Sequence, residues 1–259
     1  LIALCGMDQP TAYILCSTPR SGTTLLCDLL SQTGVAGHPD SFFRQKSLKY
    51  WADLWGLGGC VDCQDAAFSA RYLAAMRQAG QGETGMFGLR LMGPDLQFAC
   101  DWLGRMHPGR PSEADRFAAA FGPLRYIYLS RSDKLAEAVS YIRAEQTGLW
   151  HGRPDGSTLE EIAPTVPQGY DPALITARMA ELSDYDAAWP RWFEAQGIAP
   201  LRLSYEELAA APQATLAQVL GHIGQDPALA ANTAPGLRKL ADETSADWIR
   251  RYRDAHPSA

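Results

Sequence analysis

Lysine is scarce in this 259-residue chain: there are four, Lys46, Lys49, Lys134 and Lys239, and none follows a glycine. That absence excludes the G-x-x-x-x-G-K-[ST] loop with which triphosphate enzymes reach the β- and γ-phosphates. No apolar run approaches the roughly 20 residues a membrane helix needs, so no transmembrane segment is expected. Leu1–Met7 is too short for a secretory leader and lacks a basic start, so a cytoplasmic setting with reduced thiols is expected. Net charge is −6, which excludes a general nucleic-acid or anionic-membrane binder. A polyanionic small molecule would still bind where basic groups converge. Cys60-Val-Asp-Cys63 is a lone C-x-x-C, without the second pair or the neighbouring histidines of a zinc site and without the context of a redox pair. No metal site is expected. There is no internal repeat and no low-complexity segment.

What is present is organised around Tyr13-Ile-Leu-Cys-Ser-Thr-Pro-Arg-Ser-Gly-Thr-Thr-Leu-Leu-Cys-Asp-Leu-Leu30. Tyr13–Cys16 is an apolar run of the kind a buried parallel strand shows. Ser17-Thr18-Pro19 has turn composition. Leu25, Leu26, Leu29 and Leu30 then follow helical spacing. A strand that runs through a hydroxyl-rich loop into a helix start makes an anion site, because unpaired N–H groups and the helix dipole face the loop. Arg20 adds a planar fork suited to phosphate or sulfate oxygens. The plainer alternative is a strand-turn-helix unit capped by Ser or Thr.

Farther along, Gly37-His-Pro-Asp-Ser-Phe-Phe43 places His38 and Asp40 in a loop, since Pro39 keeps His38 out of helical geometry. Tyr50, Trp51 and Trp55 are either core or a sugar platform. Asp65–Gln78 reads as an amphipathic helix through Phe68, Tyr72, Leu73 and Met76. Met86–Met92 reads as a buried strand with Arg90 embedded in it; that charge needs a carboxylate, a carbonyl cluster or a ligand anion. Helices are expected from Pro94 toward Leu103 and over Glu113–Phe121. Leu124–Ser130 is a second strand, running into a helix over Arg131–Arg143 capped by Ser132 or Asp133. Arg131 at the strand end is either an anion ligand or half of a structural ion pair, with Ser140 two and a half turns on. Thr147–Pro172 is a loop-rich segment of the length that lids and binding loops use. A helix is expected over Ser183–Gln196, a third strand over Pro200–Ser204, a helix over Pro212–Ile223, and a basic tail ending near Arg253. The order implies an α/β fold, a parallel sheet flanked by helices, with ligands beyond the carboxyl ends of the strands.

Five blocks together, Cys16–Leu26, Gly37–Phe43, Phe87–Met92, Arg131–Ser140 and Arg202–Leu208, resemble the bacterial trehalose and glycolipid (lipopolysaccharide-type) sulfotransferases. The resemblance covers about Tyr13 to Tyr252. It implies a P-loop-like sulfotransferase fold over one domain, residues 1–259, and 3′-phosphoadenosine 5′-phosphosulfate as co-substrate, without metal. It implies that Arg20, Ser21, Gly22, Thr23 and Thr24 hold the 5′-phosphosulfate, and that Arg131 and Ser140 hold the 3′-phosphate. Arg90 is expected beneath the donor or acceptor site. The family base, a Glu just before the loop proline, is replaced here by His38, leaving Asp40 as the competing base. The expected reaction is in-line transfer to a hydroxyl of a sugar or glycolipid, by a homodimer, with the segment 147–172 covering the acceptor. A P-loop-type kinase and a nucleotide-binding protein without turnover are the alternatives; magnesium dependence and transfer to a sugar separate them.

Overall fold

Every residue of Ala12–Ser17 is buried, because this strand, β1, has a neighbour on each side and helices on both faces. It pairs in parallel with β2 (Phe87–Met92) and with β3 (Leu124–Ser130), and β3 pairs in parallel with β6 (Leu201–Ser204). The strand order is β2-β1-β3-β6. This computed structural model describes residues 11–58, 61–152, 158–161, 163–236, 240 and 242–257. Cys5 and Cys60, and with Cys60 half of the C-x-x-C pair, lie outside the described residues.

The period-two alternation of strand side chains divides the core. Ile14 and Cys16 point into a cluster with Leu89, Leu91, Trp102 and Trp189. That face is covered by α3 (Ala66–Gln81), α4 (Leu96–Met106), α5 (Glu113–Phe121) and the later turns of α7 (Pro172–Ala195). Tyr13 and Leu15 point the other way, toward Leu26, Leu29, Leu129 and Leu216. There α1 (Thr23–Gln32), α8 (Tyr205–Ala210) and α9 (Pro212–His222) close the layer. Between them in sequence, α2 (Leu48–Leu54) carries Trp51, whose ring meets Phe42 edge-on at 5.0 Å and stacks on Trp55 at 5.4 Å. Those tryptophans pack against the core, whereas Tyr50 is exposed. A smaller cluster joins α6 (Lys134–Thr147) to α7 and α10 (Glu243–Ala255) through Val139, Ile175 and Trp248.

Two expectations need correction. The segment 147–172 is not all loop: β4 (Leu149–Gly152) and β5 (Thr158–Glu161) pair antiparallel within it. And α7 begins at Pro172, well before Ser183, because Asp171 accepts hydrogen bonds from the N–H groups of Ala173 and Leu174, with Pro172 in the first turn. The basic tail is a helix whose arginines meet acids, Arg253 with Asp133 and Arg250 with Asp247. No helix among the described residues is long and apolar enough to cross a membrane.

The sheet has one point where the chain order reverses. From β1 the chain goes to β2 on one side and, later, to β3 on the other. Crevices of this kind, beyond the carboxyl ends of the strands, are where open α/β sheets bind ligands. The loops that follow β1 and β3 meet there.

Candidate functional site

The loop after β1 is tied down from below. The Ser17 hydroxyl donates to the Leu129 carbonyl, Ser21 Oγ donates to the Thr18 carbonyl at 2.6 Å, and Trp189 Nε1 donates to the Ser17 carbonyl at 2.9 Å. Thr18 Oγ1 donates to Glu137 Oε1 at 2.6 Å. Glu137 is wholly buried on α6 and also pairs with Lys134 at 2.8 Å. Burial pushes its carboxyl pKa up, against the opposing pull of Lys134.

The helix that follows carries no capping side chain. Its N-cap is Gly22 at φ 89°, and no acid stands in its first turn. The Ser or Thr cap of the plainer alternative is therefore absent, so the positive end of the dipole lacks the side-chain oxygen that usually occupies it. Gly22 is required for two reasons. Its φ lies in the left-handed region, and an added Cβ would come within 2.6 Å of Tyr205 Cδ2. Gly22→Ala should therefore lower stability by at least about 1–2 kcal/mol, the cost of left-handed backbone at a residue with a Cβ, as read by chemical denaturation.

Arg20 is the one non-glycine residue among those described with positive φ, 69°. Its Nε donates to Ser140 Oγ at 3.1 Å and its Nη1 to the Trp150 carbonyl at 2.5 Å. Its own carbonyl accepts from Arg131 Nη1 at 3.1 Å. Arg131 lies over the Tyr205 ring at 4.4 Å, and its Nε is buried with no hydrogen-bond partner. Among the described residues no acid pairs with Arg131, so the structural ion-pair alternative has no partner here. The two expected anion sites, Arg20–Thr24 and Arg131 with Ser140, are one continuous surface.

Arg90 joins that surface from β2. Its Nη1 donates to Thr24 Oγ1 at 2.9 Å, its Nε to Ser41 Oγ at 2.8 Å, and its Nη2 to Asp40 Oδ1 at 2.9 Å. The guanidinium is thus satisfied by a carboxylate and two hydroxyls, as a half-buried charge requires. Asp40 is held in turn by a parallel bridge to Leu89.

His38 is not brought to this cluster. It is exposed, and it precedes the Asp40–Leu89 bridge on the amino-terminal side of the sheet. Its N–H donates to the Gly80 carbonyl at 2.8 Å, and its ring lies against Gly82, where an added Cβ would meet Cδ2 at 2.7 Å. The loop after β1 stands at the other end of the strands. The proline-bounded loop climbs along β2, so only its later members, Asp40 and Ser41, reach the site. The base expected at His38 is displaced by that geometry.

The histidine that does reach it is His151, on β4. Its Nε2 lies 3.1 Å from Thr24 Oγ1. Burial, and then the charges of Arg20, Arg90 and Arg44, push its pKa down to about 3. Sequence reasoning treated it as one feature of a long loop; the only local signal was an aromatic-His pair, Trp150-His151, two residues after the helix-ending Gly148. Among the described residues no three His, Cys, Asp or Glu side chains group as metal ligands.

A family model described as Stf0 sulphotransferase matches residues 12–255. The chain belongs to that family. It is a sulfotransferase. A trehalose 2-sulfotransferase of Mycobacterium tuberculosis (strain Erdman) is 30% identical over 264 residues, covering 95% of each chain. Another, of Mycolicibacterium smegmatis, is 31% identical over 268 residues, covering 95% of this chain and 96% of that one. Among solved structures, the sulfotransferase domain of the Synechococcus PCC 7002 olefin synthase is similar, at 14% identity and TM-score 0.47, covering 97% of this chain and 90% of that one.

Proposed function

We propose that this sulfotransferase moves the sulfuryl group of 3′-phosphoadenosine 5′-phosphosulfate to a hydroxyl of trehalose or a closely similar disaccharide. The observation that carries the donor is the uncapped start of α1 flanked by Arg20 and Arg131, with Arg131 Nε buried and unpartnered. Such a surface fits a ligand with two anionic ends joined by a short spacer. The acceptor reading rests on the two trehalose-acting relatives, which align over nearly the whole chain.

When bound, the donor supplies an activated sulfuryl group on a phosphate leaving oxygen. The chain's own residues do the rest. The Thr23 and Thr24 amides and Arg20 hold the 5′ end, and Arg131 and Ser140 hold the 3′-phosphate. Positive charge fixed at Arg20 and at the helix start meets the charge that builds on the leaving oxygen, without reorganisation. Arg90 and Asp40 orient the acceptor hydroxyl in line with the group to be transferred. Positioning and electrostatics provide most of the catalysis in the related phosphoryl transfers.

Adenosine 3′,5′-bisphosphate should bind without metal and much more tightly than magnesium ATP in titration calorimetry. Arg131→Ala should weaken it by about 1.5–3 kcal/mol, the worth of a charge-assisted bond. Labelled sulfate should pass from the donor to trehalose. Equal affinity for the two nucleotides would overturn the donor reading, and transfer to other sugars but not trehalose would overturn the acceptor reading.

A further inference from the structure

His151 is held where the chemistry of the loop needs a proton acceptor. Thr24 Oγ1 accepts a hydrogen bond from Arg90 Nη1, so its own hydrogen is left to donate. Nε2 of His151, at 3.1 Å, is in reach to accept it in the tautomer that carries the ring hydrogen on Nδ1. In that tautomer the ring takes a hydrogen bond from a hydroxyl at the start of α1, beside the anion surface. The strand that carries it is fastened on both sides. The preceding residue gives its carbonyl to Arg20 and sets its ring edge-on to Tyr141 at 5.4 Å. Across the hairpin, His151 is in register with Glu160.

We propose that His151 is a catalytic residue: its Nε2 takes the proton of the acceptor hydroxyl once the donor has neutralised the arginines around it. This rests on the sulfuryl-transfer reading of the same site. The acceptor O–H displaces the Thr24 O–H from Nε2 and gives Nε2 its proton, and the acceptor oxygen forms the new S–O bond with the electron pair this frees. The S–O bond to the 5′-phosphate breaks, and its electron pair leaves on the phosphate oxygen. The imidazolium then returns its proton to water.

The charged groups that face the ring give this step an order. Arg20 approaches from the loop, Arg90 from β2, and Arg44 from the stretch before α2, with Asp40 beyond Arg90. Without an anion they add to burial in holding the imidazole neutral, with a pKa of about 3, which makes a weak base. A bound phosphosulfate offsets the arginine part of that depression and leaves only burial. The ring is thus a stronger base when the donor is present than when it is absent, which favours deprotonation of the acceptor in the ternary complex. Asp40, engaged by Arg90 and by the Ser41 N–H, orients the acceptor and does not take the proton.

The test needs no turnover to begin. Ring resonances of ¹³C-histidine protein, assigned with His151→Gln, are titrated with and without adenosine 3′,5′-bisphosphate. The His151 midpoint should rise by about one unit or more when the bisphosphate is bound, a tenfold or larger change in proton affinity. A midpoint indifferent to the ligand overturns the proposal. His151→Gln should lower kcat by about a hundredfold or more, as loss of a general base does, and should remove the acid limb of the pH profile. Its affinity for the bisphosphate should stay within about threefold of the parent, because Gln can still accept from Thr24. Asp40→Asn should have the smaller effect on kcat; the reverse order overturns the assignment. If the bisphosphate does not bind the parent at all, the donor reading itself has failed. If it binds and sulfate is transferred while His151→Gln keeps its turnover, the role of His151 alone has failed.

Discussion

Arg20→Gly should abolish sulfuryl transfer while leaving the fold as stable as the parent or slightly more so. Arg20 holds a left-handed backbone, φ 69°, that a side chain occupies at a cost and glycine does not. The structure over-determines it: Ser140 and the Trp150 carbonyl take the guanidinium, and Arg131 takes the carbonyl. Strain retained in that way belongs with function. It aims a full positive charge across the start of α1, where the proposed reaction would build charge on the leaving oxygen. Loss of an arginine in the comparable role of phosphoryl transfer costs about 10³–10⁵ in kcat, and that is the fall expected here. Arg20→Lys should recover little of it, since a single ammonium cannot serve Ser140, the Trp150 carbonyl and a ligand oxygen together. Glycine separates the two effects cleanly because it removes the charge and relieves the backbone at once. Thermal melting and single-turnover transfer on the same samples decide the matter. A lower melting temperature with kcat near the parent value would mean that Arg20 serves the loop and not the chemistry.

The parts of the fold that could be read from sequence are those where one local pattern had one physical outcome. Leu124–Ser130 and Glu113–Phe121 are found with the expected bounds, and the structure adds that Ser112 caps the helix by accepting from the Asp115 N–H. The strand, turn and helix start on either side of Arg20 were legible, because an apolar run, a turn composition and helical leucine spacing follow one another without a gap. Arg90 was legible as a charge in need of a partner. Which partner was not, because Asp40 lies 50 residues away in sequence and is brought alongside by a single isolated bridge. The hairpin was invisible for a different reason. Its strands are four residues each, too short for period two to show, and β4 is held from a distance in sequence, by Arg20 at the Trp150 carbonyl and by Tyr141 of α6 against the Trp150 ring. His151 was read only as part of a loop that fits a sugar site, with no role of its own. His38 was favoured because it stands where the resemblance places the base, just before the loop proline, but position in a motif does not say how far along β2 a loop climbs.

Glu137 should carry the largest single contribution to stability near the site, and its removal should loosen the loop as well. It is fully buried, bonded to Thr18 Oγ1 at 2.6 Å and paired with Lys134 at 2.8 Å. Lys134 also reaches Asp186 at 3.0 Å, and Asp186 accepts from the Tyr128 hydroxyl at 2.7 Å. The network therefore ties the loop after β1 to α6, α7 and β3. Glu137→Ala strips Lys134 of one anion and leaves the Thr18 hydroxyl facing a void; breaking a buried pair from one side costs about 3–5 kcal/mol. Glu137→Gln keeps the shape and can still accept from Thr18, so it should cost less. The pH dependence separates charge from shape. Burial raises the folded-state pKa above the ordinary glutamate value of about 4.3. Between those two values the folded chain holds a proton that the unfolded chain has lost, so this group's contribution to stability falls as pH rises through that window. Denaturant unfolding across the acid range should show that slope in the parent and its loss in Glu137→Gln. Donor affinity should fall in Glu137→Ala more than in Glu137→Gln, since Thr18 lies two residues before Arg20. Equal slopes in parent and Gln variant would mean that Glu137 carries no raised pKa, and the network would then hold the loop by hydrogen bonding alone.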